Sequence, residues 1–420
     1  MDHPHALAEM ERQSAAHAAA KPVARRPAWR DALVARALKN AFATETRGAL
    51  EVTLPSGLLV VLGHGAAMPA RVAITSYRAL WRLATRGSIG LAESYMRAEI
   101  DTPDLTGVLR FCVQNYSGIA AAGGGVIRPR WTDIFWHKRR KNSLKGSRRN
   151  IAAHYDLGNA FYGLWLDPGM TYSSAIYRSR VDTLEAAQDE KYRAVLDRLA
   201  IKRGDALLEI GCGWGGLAER ALRRGATVTG LTLSAQQLTY SRTRLSAAGY
   251  AERCDLRFED YRNTGGTYDA IASVEMVEAV GEAHWPDYFA KLNACLKPGG
   301  TAVIQAITID EMFFESYRRG ADFIQRYIFP GGMLPTVTRM HEEAARAGLT
   351  FETVERFGSS YALTLDAWRQ KFRMNWPHIK ALGFDERFRR MWEYYLAYCE
   401  VGFENGDVDV GIYRMTKPKA

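Results

Sequence analysis

From about residue 206 onward, short apolar runs alternate with stretches of helical period, the pattern of a parallel sheet wound on both faces by helices. Strands are predicted at 206–211, 227–231, 256–258, 270–274, 302–307, 350–357 and 408–415. The last of these carries Gly411 among polar neighbours and reads as an antiparallel insertion that brings the sheet to seven strands. Upstream, strand-like residues 50–54, a turn at 55–57, a second strand at 58–63 and helical period from 77 to 96 predict a smaller α/β unit. Residues 1–30 lack sustained periodicity and read as a flexible arm. The chain therefore divides into an arm (1–30), a small N-terminal domain (31–116), a linker (117–150) and a large α/β domain (151–420).

Composition narrows the setting. With 420 residues and 47% hydrophobic positions, the chain can bury more than one core. The formal charge of +10 points to an anionic partner. The linker carries much of it: glycine-rich residues 118–125 are followed by Arg128, Arg130, Lys138, Arg139, Arg140, Lys141, Lys145, Arg148 and Arg149. Trp131, Phe135 and Trp136 lie among these charges, a mixture suited to an anionic membrane surface as well as to a solvated linker. No apolar run approaches the roughly 18 residues of a membrane span, which predicts a soluble, cytoplasmic protein. The five cysteines lack paired spacing, so reduced thiols and no metal are expected, and His3, His5 and His17 read as part of a solvated tail.

The chemistry begins at Leu207-Leu208-Glu209-Ile210-Gly211-Cys212-Gly213-Trp214-Gly215-Gly216, a buried strand entering a glycine loop and then a helix. Glycines let a ligand approach the backbone, and the helix start presents free N–H groups. Gly211, Gly213 and Gly216 also fit the dinucleotide spacing, but a nicotinamide site wants an acid at the end of the second strand. That strand ends in Gly230-Leu231-Thr232-Leu233-Ser234, without one; the acids are Glu209 and, after the third strand, Glu259 and Asp260. This distribution resembles the class I methyltransferases.

Longer strings sharpen the resemblance. His154-Tyr155-Asp156-Leu157-Gly158-Asn159, Met170-Thr171-Tyr172-Ser173-Ser174, Tyr327-Ile328-Phe329-Pro330-Gly331-Gly332 and the tyrosine-rich 391–398 resemble the cyclopropane fatty acid synthases. Gly90-Leu91-Ala92-Glu93-Ser94-Tyr95-Met96 is similar to that family's N-terminal lipid-engaging domain. The resemblance implies a Rossmann-like class I methyltransferase fold with a helical cover for the acyl chain. It implies an S-adenosylmethionine site made of Tyr172, Ser173, Glu209, Gly211, Gly213, Trp214, Thr232, Leu233, Gln237, Phe258 and Glu259, with Phe258 flanking the adenine and Gln237 reaching the ribose.

The implied reaction adds a sulfonium methyl group to the cis double bond of an unsaturated acyl chain in a membrane phospholipid, leaving a carbocation that a base must deprotonate. In the family a bound bicarbonate is that base. Its holders carry over as Glu278, Tyr361 and the backbone of Ile307, but Ser174 stands where a cysteine is usual, Gln305 where a histidine is usual, and Ala279 in place of a further histidine. Glutamine does not titrate, so anion binding is expected to weaken or rearrange, and the product is either a cyclopropane or, where the longer-lived cation undergoes hydride shift and proton loss, a methyl-branched olefin. Glu275 on the same segment reads either as a substitute base or as a structural residue at a strand end. The resemblance further implies attachment to the inner face of an anionic membrane and, often, a homodimer; no nucleic-acid module is visible. The rival readings are an alkaloid-type amine N-methyltransferase, a nucleic-acid methyltransferase and a catalytically silent lipid-binding protein.

Overall fold

The computed structural model describes residues 29–42, 46–64, 68–115 and 157–419. The basic linker, most of the N-terminal arm and the His154-Tyr155-Asp156 part of one motif lie outside these residues. Helix α1 (Trp29–Ala41) begins within the last two residues assigned to the arm.

The N-terminal part combines α1, β1 (Gly48–Thr53), β2 (Leu59–His64), β3 (Ala70–Ile74), α2 (Tyr77–Met96), β4 (Ile100–Asp101) and α3 (Leu105–Gln114). Its sheet has the order β2-β1-β3-β4, with β3 parallel to β1 and the other pairs antiparallel. One face is apolar: Leu50, Val52, Val60, Leu62, Val72 and Ile74 pack with Ala79, Val108 and Phe111. Helix α2 is interrupted at Gly87, whose φ of 55° and ψ of −133° are non-helical. Only a glycine relieves that conformation, and the break turns residues 89–96 inward toward the rest of the molecule.

The larger part runs α4 (Asn159–Gly163), α5 (Leu184–Leu199), β5 (Ala206–Ile210), α6 (Gly216–Arg223), β6 (Thr227–Thr232), α7 (Ala235–Ala247), β7 (Cys254–Phe258), β8 (Tyr268–Val274), α8 (Trp285–Cys295) and β9 (Leu296–Ile309). It continues through α9 (Glu311–Tyr317), α10 (Val337–Arg346), β10 (Thr350–Arg356), α11 (Gly358–Met374), α12 (Trp376–Ala381), α13 (Glu386–Asn405) and β11 (Val408–Thr416). The sheet order is β10-β11-β9-β8-β5-β6-β7, parallel except that β11 runs antiparallel to both β9 and β10. All seven expected strands are present, including the antiparallel last one.

Alternation along β5 feeds two cores. Leu207 points into a cluster with α5, α6, α11 and α13, and Leu208 into one with α8 and α10 on the other face. The first core is aromatic, with Phe161, Tyr162, Trp165, Trp368 and Trp392 fully or almost fully buried in ring contacts of 5.2 to 5.9 Å. β5 lies between β6 and β8, so successive connections leave it in opposite directions. A crevice opens at the carboxyl ends of strands at such a point.

The two parts are joined along α13. Buried Arg390 donates to the carbonyls of Tyr95 (2.5 Å) and Ile100 (2.5 Å), pairs with Asp101 (3.1 Å) and lies 4.1 Å over the Tyr95 ring. Glu93 of α2, also buried, pairs with Arg86 and accepts the Tyr327 hydroxyl at 2.5 Å.

Candidate active site

The glycine loop sits where the crevice opens. β5 ends at Ile210, and the Gly211 and Cys212 amides both bind the Leu231 carbonyl at the end of β6, at 3.0 and 2.9 Å. This tight turn places Gly211, Gly213 and Gly215 at φ of 86°, 52° and 82°, in the left-handed region. A Cβ on Gly213 would meet nothing within 4 Å, so this is the open side of the loop. Gly216 has a different duty. A Cβ there would lie 2.6 Å from the Tyr192 hydroxyl, so it is small to admit α5.

Glu209 is buried at the end of β5, and its Oε2 has no hydrogen-bond partner among the described residues. Burial pushes its carboxyl up to about 8, opposed by the charge of Lys191 and the amide of Ala218. An unpartnered buried carboxyl beside an open glycine loop fits a cationic group brought by a ligand. At the end of β6, Thr232 Oγ1 donates to Gln237 Oε1 at 2.9 Å, and Ser234 caps α7 through the Gln237 amide. Gln237 is therefore buried and held by Thr232. Phe258 ends β7 with 47% of its surface exposed beside Glu259, whose amide binds the Thr232 carbonyl, a flat apolar group at the mouth of the crevice. Trp214, by contrast, is buried: its Nε1 donates to Asn159 Oδ1 at 2.8 Å and its ring packs 5.1 Å from Tyr162.

At the adjacent carboxyl ends of β8 and β9 lies a second cluster. Glu275 follows β8 in the left-handed region, at φ 49°, an uncommon conformation for a side chain of its size. Its amide donates to the Gln305 carbonyl of β9 at 2.7 Å. Its Oε1 accepts the Ser174 amide at 2.7 Å and Gln305 Nε2 at 2.8 Å, while Oε2 accepts the Tyr361 hydroxyl of α11 at 2.7 Å. Burial raises the Glu275 carboxyl, and Tyr361, the Ser174 amide, Lys191 and Gln305 oppose that rise. Tyr361 is raised well above its usual value by burial and by Glu275.

The structure thus redistributes the groups that the resemblance assigns to one anion. Ser174, Gln305 and Tyr361 converge on Glu275. Glu278 stands apart, with Oε1 on the Ile307 amide at 2.5 Å, its carbonyl accepting the Met333 amide, and Oε2 buried without a partner among the described residues. Burial, reinforced by Glu275, pushes Glu278 up to about 8. The Ser174 hydroxyl turns away, onto the Ala175 carbonyl. Tyr172 joins the cluster's edge through its hydroxyl, 2.9 Å from that of Tyr395. Leu233 lies between Thr232 and Ser234 at the start of the β6 to α7 turn.

Lys191 was not singled out by sequence reasoning. It is fully buried on α5, donates to Ser173 Oγ at 2.6 Å and lies 4.3 Å from the Tyr192 ring. The buried stripe of α5 runs Leu184, Ala187, Gln188, Lys191, Tyr192, Val195, Leu196 and Leu199. A lysine inside that stripe was the available signal.

A seven-stranded sheet with an antiparallel final partner, crossed by a glycine loop and a buried acid at its switch point, defines a class I methyltransferase, whose methyl donor is S-adenosylmethionine. The family follows from the match of residues 142–412 to the model for mycolic acid cyclopropane synthetase: the chain belongs to that family. It is 40% identical over 337 residues to the tuberculostearic acid methyltransferase of Mycobacterium tuberculosis, covering 78% of this chain and 79% of the relative. It is 33% identical over 352 residues to the cyclopropane-fatty-acyl-phospholipid synthase of Escherichia coli, covering 81% and 86% respectively. Among solved structures, it is similar to the mycolic acid cyclopropane synthase CmaA1 complexed with SAH and CTAB, with a TM-score of 0.61 and 30% identity over 64% of this chain and 98% of the other. The relatives are lipid methyltransferases and cyclopropane synthases, and lipid methylation is the activity of this chain at the level of the family.

Proposed function

We propose that this enzyme methylates the cis double bond of an unsaturated phospholipid acyl chain, that Glu275 is the base, and that the product is a methyl-branched olefin. The observation that carries this reading is the convergence of Ser174, Gln305 and Tyr361 on the Glu275 carboxylate. Donors that would hold an external bicarbonate are engaged by a carboxylate of the chain itself.

S-adenosylmethionine, when bound, would supply an electrophilic methyl group to the alkene π electrons, its methyl C–S bond breaking with the electron pair left on the sulfur of S-adenosylhomocysteine. The acyl chain is left with a cation beside the methylated carbon. A hydride shift moves that charge to the more substituted carbon, and Glu275 takes a proton from the neighbouring chain carbon, whose C–H electron pair becomes the new double bond. Each carboxylate oxygen retains acceptor capacity for this: Oε2 receives only the Tyr361 hydroxyl among the described residues. Tyr361 and Gln305 hold the carboxylate in place, and the rings of Tyr172 and Tyr361 bring π faces to the same region, where a cation is stabilised.

Two features support a lipid surface as the source of substrate. The N-terminal part exposes Trp29, Leu33, Leu59, Val61, Met68 and Trp81, of which Met68 is 92% and Trp29 69% exposed. No helix among the described residues is long and apolar enough to cross a membrane, so contact with the bilayer would be peripheral. The relatives' printed names favour fatty acyl acceptors over the amine reading.

Incubation with unsaturated phospholipid liposomes and trideuteromethyl S-adenosylmethionine, followed by mass spectrometry, tests the proposal. Three retained deuteriums in a product that takes up hydrogen under mild hydrogenation are expected. Two retained deuteriums with resistance to hydrogenation identify a cyclopropane and overturn the branching step; no incorporation overturns the acceptor.

A further inference from the structure

Lys191 is the buried charge that this mechanism leaves unused. A fully buried ammonium needs acceptors, and three N–H donors are available. Among the described residues it has one acceptor, Ser173 Oγ, besides the face of Tyr192. The carboxylates that act on it from further away are committed elsewhere: Glu275 to Tyr361, Ser174 and Gln305, and Asp167 to the Gly169 and Thr171 amides. Glu209, the third, has an unpartnered Oε2.

These two incompletely satisfied groups lie near enough beside the glycine loop for the charge of each to act on the other. Glu209 ends β5 immediately before it. Lys191 reaches the Tyr172-Ser173-Ser174 segment, and its neighbour Tyr192 packs against Gly216 and donates to Thr171. One turn earlier on α5, Gln188 donates to the Ser173 carbonyl at 2.9 Å, which fixes that segment over the helix.

We infer that Lys191 and Glu209 read the amino-acid end of S-adenosylmethionine, with Lys191 receiving its carboxylate beside Ser173 and Glu209 receiving its ammonium. A zwitterion brings an opposite charge to each of the two groups at once, which neither neutral water nor a lone anion does. Lys191 thereby becomes a cofactor-binding residue, and α5 becomes part of the cofactor site. The inference rests on the cofactor class and is independent of the acceptor and of the product.

The test is calorimetric binding of S-adenosylhomocysteine, its carboxamide and 5′-methylthioadenosine, which lacks the amino-acid end, to the purified full chain without lipid. The wild type is expected to bind the carboxamide roughly tenfold or more weakly than the acid, the range of a lost hydrogen bond to a charged group. Lys191→Met is expected to bind acid and amide within about twofold of each other and 5′-methylthioadenosine as well as the wild type does. Lys191→Gln, which keeps a donor for Ser173 without the charge, carries the same expectation and serves if the methionine variant does not fold. Equal binding of acid and amide by the wild type overturns the inference. So does undiminished discrimination in either variant, or loss of 5′-methylthioadenosine binding in parallel with the acid, which would make Lys191 a structural counterion. Because no acyl chain is present, failure here is separate from failure of the proposed reaction.

Discussion

β5 and β8 lie side by side, and at their carboxyl ends the chain builds two polar sites on opposite plans. At β5 the groups are left wanting, an open glycine and a carboxyl oxygen without a partner, and at the end of β7 a ring lies half exposed at the crevice mouth. After β8 a carboxylate has gathered an amide, a carboxamide and a phenol around itself. The first plan requires a ligand from outside. The second supplies Glu275 as its own acceptor, although Glu278 beside it keeps an unpartnered Oε2, and that difference separates binding a cofactor from holding the proposed base.

The sharpest way to break the comparison is Glu275→Gln. Removing a general base costs typically 10²- to 10⁴-fold in turnover, and kcat is expected to fall by roughly that range while S-adenosylhomocysteine affinity stays within about twofold. A variant that loses affinity to the same degree would merge the two sites into one. Next comes an exchange of plans: Glu275→Ala with Ser174→Cys and Gln305→His empties the internal carboxylate and restores the residues usual in the family. Turnover by the wild type is expected to be indifferent to bicarbonate depletion, whereas turnover by the triple variant should rise with added bicarbonate.

On the cofactor side, Gly213→Ala should weaken S-adenosylhomocysteine binding by roughly tenfold, since φ of 52° is strained for alanine and its methyl would enter the open side of the loop. Thermal unfolding of that variant is expected to shift only by the few degrees that such strain causes. Phe258→Ala should cost a similar or smaller factor through lost stacking.

The smallest effect concerns protons. Glu209, raised to about 8, is mostly protonated at pH 7, and a cofactor ammonium stabilises its ionised form. Binding at pH 7 should therefore release a proton, read from calorimetry in buffers of different ionisation heat. Lys191, lowered only to about 8, is mostly protonated at that pH and contributes little uptake. Glu209→Gln should abolish the release. The same shift has a sign for stability. A carboxyl whose folded pKa lies above its unfolded value binds more protons when folded, so the ligand-free enzyme loses stability as pH rises from the ordinary carboxylate range to about 8, and Glu209→Gln should flatten that decline.

Most of the seven strands were legible as apolar runs closed by a glycine or a charge, as Gly211 closes β5 and Glu275 follows β8, whereas β6 runs into Thr232-Leu233-Ser234 and β10 carries Glu352, Glu355 and Arg356. β3 was not: five residues with an outward Arg71 give little period, and its parallel pairing to β1 is set by distant contacts. β9 was read from Ala302, although it begins at Leu296, because Pro298, Gly299 and Gly300 look like a turn and are accommodated by a register shift against β8. Helix α2 kept its predicted limits but not its continuity, since one glycine in a helical pattern does not announce a break. In the site, the glycine loop is contiguous and therefore readable. Ser174, Glu275, Gln305 and Tyr361 come from four distant segments, so their convergence is a property of the fold and not of any local pattern. Gln237 and Trp214 illustrate the converse: both lie in recognisable motifs, yet one is held by Thr232 and the other by Asn159.

The backbone of Glu275 is kept in a disfavoured conformation by the bonds that its own carboxylate makes. At φ 49° any side chain other than glycine is held against a local preference, so the conformation favours the very residue that has no carboxylate. Glu275→Gly would relieve that preference but leave the Ser174 amide, the Gln305 carboxamide and the Tyr361 hydroxyl without their acceptor, a larger loss than the strain removed. The same carboxylate that would accept the proton thus also holds the local fold, and Glu275→Gly is expected to lower the melting temperature together with the yield of product.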